Sequence, residues 1–174
     1  MPEATIKYST DYYIYQVLNR ISKHICFIHP NMITLLCFLV TFPILHNILY
    51  NSSLSTFTML LIIRLILDNL DGSVARNCNK YSQLGAFLDT LSDTISFILI
   101  NSAIIYRIYT SKNHNPILYI ILCIFNIGLI IDFYREIKGD RKKNYFHNDL
   151  HKYIHDNITI LSFLFYFIVK KYYL

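Results

Sequence analysis

Long apolar runs constrain this chain more than any other feature, because each is long enough to cross a lipid bilayer. Five are read from the sequence: Asn31 to Tyr50, Ser55 to Leu70, Ser82 to Tyr109, Ile117 to Tyr134, and 158–173. Crossing the hydrocarbon core takes about 17–25 helical residues. Lipid offers no partner to an open backbone, so each crossing segment has to be a helix. The sequence therefore predicts an all-α, polytopic transmembrane bundle of five to six spans, with residues 1–174 forming a single membrane domain. Charged residues make up only 16% of the chain and hydrophobic ones 54%. A soluble domain usually carries about 25% charge, so disorder is excluded and an ordinary soluble enzyme is not expected.

Ahead of the first run, Asp11 to Ile28 reads as an amphipathic interfacial helix. Tyr13, Val17, Ile21 and Ile25 recur every four residues, flanked by Arg20, Lys23 and His24. Such a helix lies in the headgroup layer or caps the bundle. Pro30 disfavours helix at His29 and suits the first turn of the next one.

The net charge of +5 suggests topology rather than nucleic-acid binding, because the basic residues flank the apolar runs. Lys7, Arg20 and Lys23 precede the first, and Arg76 and Lys80 follow the second. A larger group, from Arg135 to Lys152, follows the fourth. The positive-inside rule then puts the N-terminus and the 71–81 connection in the cytoplasm. The four cysteines, Cys26, Cys37, Cys78 and Cys123, form no CxxC pair. They read as small apolar fillers, not as disulfides or a zinc site. No cleavable signal peptide is read at the N-terminus. His147, His151 and His155 fall on one helical face in a polar 138–157 stretch, and a solvated helix explains them.

The chain has eleven acids, and four of them fall where apolar residues belong. Asp68 ends the second run, Asp71 follows, and Asp89 and Asp93 open the third. Spacings of i, i+3 and i, i+4 set each pair on one helical face. Two helices joined by a short connection then bring four carboxylates together. Clustered carboxylates repel each other in a low dielectric. Hard divalent cations that take oxygen ligands relieve that repulsion, and Mg²⁺ commonly pairs with substrate phosphates.

The full pattern is Asp68-Asn-Leu-Asp71-Gly72-Ser-Val-Ala75-Arg76, eight residues, Gly85, three residues, Asp89, three residues, Asp93. It resembles, at all eight positions and without a gap, the signature of the CDP-alcohol phosphatidyltransferase family. The resemblance implies that Asp68, Asp71, Asp89 and Asp93 hold two Mg²⁺ or Mn²⁺ ions, with Asp93 also the general base. Gly72, Arg76 and Ser82 match positions that hold the CDP part of a donor. Asn31 and Thr34 are similar to the family's nucleotide-binding segment at the start of the first span. Ala75 and Gly85 match the small, close-packing positions of the signature.

The activity implied is transfer of a phosphatidyl group from CDP-diacylglycerol to a small polar alcohol, with release of CMP, at a site facing the cytoplasm. Serine, glycerol 3-phosphate and inositol are all open as acceptors. Arg135 and Lys138 are the candidate acceptor-binding bases, although charge at a helix end explains them equally well. The implied partners are the bilayer, the donor and acceptor, and a second copy of the chain, not nucleic acid. Transfer of phosphocholine or phosphoethanolamine to diacylglycerol, a non-catalytic family member, and an Asp-rich prenyltransferase are the competing readings. Arg64, in mid-span, is expected to pair with an acid or to snorkel.

Overall fold

The computed structural model describes residues 10–50, 53–110, 116–137, 164, 166–168 and 170–171. Its described elements are five helices: α1 Thr10–Ser22, α2 Pro30–Leu49, α3 Leu54–Asn77, α4 Gln83–Thr110 and α5 Pro116–Ile137. All five run where the sequence predicts helix. The described residues near the C-terminus, such as Tyr166, are helical too. Most of the expected fifth run, the 138–157 histidines and Lys138 lie outside the described residues.

Local chemistry sets the boundaries. Pro30 opens α2, while the His29 imidazole Nδ1 accepts from the Asn31 backbone N–H at 3.3 Å. Ser53 caps α3 by accepting from Ser55 N–H at 3.2 Å. Ser82 caps α4: its hydroxyl accepts from Gly85 N–H at 3.0 Å, and its carbonyl accepts from Ala86 N–H at 3.0 Å. Each cap satisfies a helix donor that has no partner within its own helix.

Two boundaries differ from expectation. The interfacial helix stops at Ser22 rather than Ile28. Helix α3 does not end at Leu70 but continues through the signature to Asn77, which shortens the expected 71–81 connection to 78–82. The polar residues there look like a loop by hydropathy, yet the helix stays packed against α1. Asn77 Nδ2 donates to Ser22 Oγ at 2.6 Å and to the Asn19 carbonyl at 3.2 Å. The stop of α3 is built by the backbone. Asn79 adopts a left-handed φ of 53°, and Lys80 N–H reaches back to the Ala75 carbonyl at 2.9 Å. That bond, six residues to one, is a Schellman stop.

The cysteine expectation is overturned for one pair. Cys26 and Cys78 form a disulfide with a Cα–Cα distance of 5.5 Å. Their separation of 52 residues hides the pairing until α1 docks on α3. Lys80 fastens the same corner, donating from Nζ to the carbonyls of Cys26 and Ile28. Cys37 and Cys123 remain free, and Cys37 is buried.

Helix α2 packs against α3 and α4, α1 against α3, and α5 against α4. The bundle divides into two ends. Ile44 and Ile48 of α2, Phe57 and Leu61 of α3, Ile100, Ile104 and Ile108 of α4 and Leu122 of α5 make one apolar core, with Tyr166 stacked on Phe57. Short α2–α3 and α3–α4 connections make these helices run antiparallel in turn. The start of α2, the end of α3 and the start of α4 therefore meet at the other end, which is the polar one.

The outward faces are apolar as well. Leu35, Leu36, Leu39 and Phe42 on α2, and Ile120, Ile124, Ile127 and Ile131 on α5, are exposed. Stripes of this kind are costly in water and call for an apolar surrounding. Among the described residues, α2 and α4 are long and apolar enough to cross a membrane.

Candidate active site

The polar end gathers the signature. Asp68 and Asp71 lie within α3, ahead of its last turns, and Asp89 and Asp93 lie in the first turns of α4. The structure sorts the four carboxyl groups into two neighbouring sets. Asp71 and Asp89 are near enough to perturb each other's charge. Asp68 and Asp93 lie with Cys37, where one oxygen of each acid and the Cys37 Sγ are within 4.8 Å of one another. The four-acid cluster expected from the spacings is therefore formed.

Neighbours fix two of the acids. Thr34 Oγ1 donates to Asp71 Oδ2 at 2.6 Å, within the short range of a charge-assisted O–H···O⁻ bond. Asp71 is only 3% exposed, and its Oδ1 has no hydrogen-bond partner. Asp93 is held from the opposite side. Arg64 Nη2 donates to Asp93 Oδ1 at 2.7 Å, and Arg64 is 1% exposed. The guanidinium carbon stands 4.3 Å from the centroid of the Phe97 ring, a cation–π distance. Cys37 Sγ donates to the Arg64 carbonyl at 3.5 Å.

Arg64 therefore pairs with an acid; it does not snorkel. Sequence reasoning missed its place in the site, as it missed Cys37. Signals for both were present. Arg64 precedes Asp68 by four residues and Cys37 follows Thr34 by three, and these spacings share a helical face.

The expected donor positions border this cluster. A Cβ added at Gly85 would stand 2.9 Å from Ser82 Oγ and 3.1 Å from Asn31 Oδ1. Gly85 thus lets the first turns of α2 and α4 close on each other, bringing Asn31 and Ser82 together. Gly72 does the same for Arg76: an added Cβ would lie 3.0 Å from a terminal guanidinium nitrogen. Glycine within a helix costs about 0.5–1 kcal/mol relative to alanine, which the close approach of Arg76 to bare backbone accounts for. The start of α2 and the start of α4 both point N–H groups at this end, a favourable setting for phosphate. Thr34, also expected at the donor, turns its hydroxyl to Asp71. Arg135 belongs to α5, but its side chain lies outside the described set.

The donor set fits divalent cations. Carboxylates gathered this closely away from water need a proton or a cation among them. The buried, unpartnered Asp71 Oδ1 is an acceptor that the protein itself leaves unsatisfied. Hard oxygen ligands of this kind suit Mg²⁺ or Mn²⁺.

Comparison with known proteins places the chain in a family. A stretch of 102 residues is 30% identical to the CDP-diacylglycerol–glycerol-3-phosphate 3-phosphatidyltransferase of Aquifex aeolicus (strain VF5), covering 59% of this chain and 56% of that protein. The chain thus spans about half the length of the curated relative it matches. No solved structure matches it. The family model for CDP-alcohol phosphatidyltransferases matches residues 27–172, which takes in α2 to α5 and every residue of the acid cluster. The chain belongs to the CDP-alcohol phosphatidyltransferase family.

Proposed function

We propose that this protein transfers a phosphatidyl group from CDP-diacylglycerol to a small polar alcohol and releases CMP. The observation that carries the reading is the convergence of Asp68, Asp71, Asp89 and Asp93 beside Asn31, Ser82 and Arg76 at one end of the bundle. Glycerol 3-phosphate is the leading acceptor, supported by the name of the Aquifex relative. Arg135 and Lys138 are the bases assigned to its phosphate.

Asp68, Asp71, Asp89 and Asp93 would hold two Mg²⁺ or Mn²⁺ ions. When bound, such ions neutralise the carboxylates and polarise phosphoryl oxygens. Asp93 accepts the proton of the acceptor hydroxyl, which must come within hydrogen-bond reach of it. The acceptor oxygen forms a bond to the lipid-bearing phosphorus, and the bond from that phosphorus to the CMP oxygen breaks. Arg76 meets the charge that develops on the departing CMP. Gly72 and Gly85 keep the floor open, while Asn31 and Ser82 orient the nucleotide. A donor dissolved in the bilayer suits a site at the end of a membrane bundle. Five spans with α1 in the interface, and the acid end in the cytoplasm by the positive-inside rule, complete the reading.

The decisive experiment uses purified protein in detergent with Mn²⁺ or Mg²⁺ and CDP-diacylglycerol. Glycerol 3-phosphate, serine and inositol are supplied separately, and CMP and lipid product are measured. CMP release is expected with glycerol 3-phosphate and is lost in Asp93→Asn. No CMP with any acceptor would sink the proposal, and full activity in Asp93→Asn would remove Asp93 as the base.

A further inference from the structure

Arg64 is the buried charge that the signature does not contain. It sits in the middle of α3, among Leu61, Ile62, Ile63, Leu65 and Ile66, and is almost fully enclosed. A buried ion pair is commonly no more stabilising than well-packed apolar residues of the same volume. Stability alone therefore gives little reason for an arginine here. The fold does not saturate it either, since Nε is buried without a hydrogen-bond partner. What the fold does is aim it: Nη2 takes one oxygen of Asp93, Phe97 supports the guanidinium face, and Cys37 bonds the carbonyl of Arg64. Oδ1 of Asp93 is thereby claimed, and Oδ2 remains for the rest of the cluster.

Charge matching gives this geometry a consequence. Two divalent ions would neutralise four carboxylates with nothing left over. With Arg64 at permanent positive charge, the loaded site carries one surplus positive charge in a low-dielectric setting. The diphosphate of a CDP donor is the group that meets it. We propose that Arg64 is a positioning residue that holds Asp93 by one oxygen and serves as a built-in counter-cation, weakening cation binding while strengthening diphosphate binding. This inference rests on the proposed donor and metal site.

The two effects have opposite signs, which a merely structural role cannot reproduce. Mn²⁺ binding is measured by electron paramagnetic resonance on the full-length protein in detergent. CDP binding is measured by calorimetry on the Mn²⁺-saturated protein. In Arg64→Met the Mn²⁺ Kd is expected to fall at least about tenfold and the CDP Kd to rise at least about tenfold. Arg64→Lys keeps a cation but loses the planar fork that stacks on Phe97, and should leave both constants between those of wild type and Arg64→Met. Arg64→Gln keeps an amide donor without the charge, and carries the test if Arg64→Met does not purify folded.

Weaker Mn²⁺ and weaker CDP binding together in the neutral variants would overturn the proposal, as would no change in either. If wild type binds Mn²⁺ and releases CMP while the variants match it, only the Arg64 role falls. If wild type binds no Mn²⁺ and releases no CMP, the proposed function falls, and this inference with it.

Discussion

Replacing Thr34 by valine removes one hydroxyl while keeping the shape of a 7%-exposed residue. That hydroxyl has one proton, and two acceptors lie in range: Asp71 Oδ2 at 2.6 Å and the Pro30 carbonyl at 3.3 Å. The shorter, charged acceptor takes it. A hydrogen bond to a charged group contributes about 1.5–3 kcal/mol, or about 10- to 150-fold in an equilibrium constant. Loss of a partner that orients a metal ligand commonly costs about 10- to 100-fold in metal affinity, and the two ranges agree. In Thr34→Val the Mn²⁺ concentration for half-maximal CMP release should therefore rise about 10- to 100-fold. The rate at saturating Mn²⁺ and the KM for CDP-diacylglycerol should stay within about threefold of wild type. Thr34→Ser keeps the donor and should restore the metal dependence. An unchanged metal requirement with a raised KM for CDP-diacylglycerol would refute the reasoning, and would return Thr34 to the nucleotide-binding role read from the sequence.

Gly85→Ala forces a Cβ to within 2.9 Å of the capping Ser82 hydroxyl and 3.1 Å of Asn31 Oδ1. Overpacking of this kind costs about 1–3 kcal/mol, so the KM for CDP-diacylglycerol should rise about fivefold or more, and an unchanged KM would separate Gly85 from the donor site. The Cys26–Cys78 bridge predicts two titratable thiols, Cys37 and Cys123, in denatured unreduced protein and four after reduction. Four before reduction would refute the bridge, and would agree with the cytoplasmic placement proposed for this end, where disulfides are rare. Closing 52 residues contributes about 4 kcal/mol on the chain-entropy account, so Cys78→Ser should lower the thermal midpoint measurably. Arg135→Ala should raise the KM for glycerol 3-phosphate several-fold at constant kcat; an unchanged KM would leave Arg135 a topological charge.

The acids were legible because their spacing is a property of sequence alone. Two helical faces with carboxylates at i, i+3 and i, i+4 have to meet if the helices run antiparallel through a short connection. The apolar runs were legible for the same reason. What surrounds the acids was not legible, because it is set by packing between helices. Arg64 finds Asp93, and Cys37 finds Asp68 and Asp93, only once α2, α3 and α4 share an end. The Cys26–Cys78 bridge needs α1 laid along α3. The continuation of α3 to Asn77 was hidden because hydropathy falls at Asp71. Contacts with α1, not apolar content, hold that last stretch helical.

The link between α3 and α4 finishes one helix at Cys78, reverses at left-handed Asn79 and caps the next at Ser82. Little chain is left over for anything else. An α-helix turns about 100° and rises 1.5 Å per residue. One residue inserted between Ser82 and Asp89 would swing Asp89 and Asp93 by more than a quarter turn, away from Asp68 and Asp71. The stretch from Ser82 to Asp89 therefore acts as a gauge block, setting the phase of the α4 carboxylates against the cap.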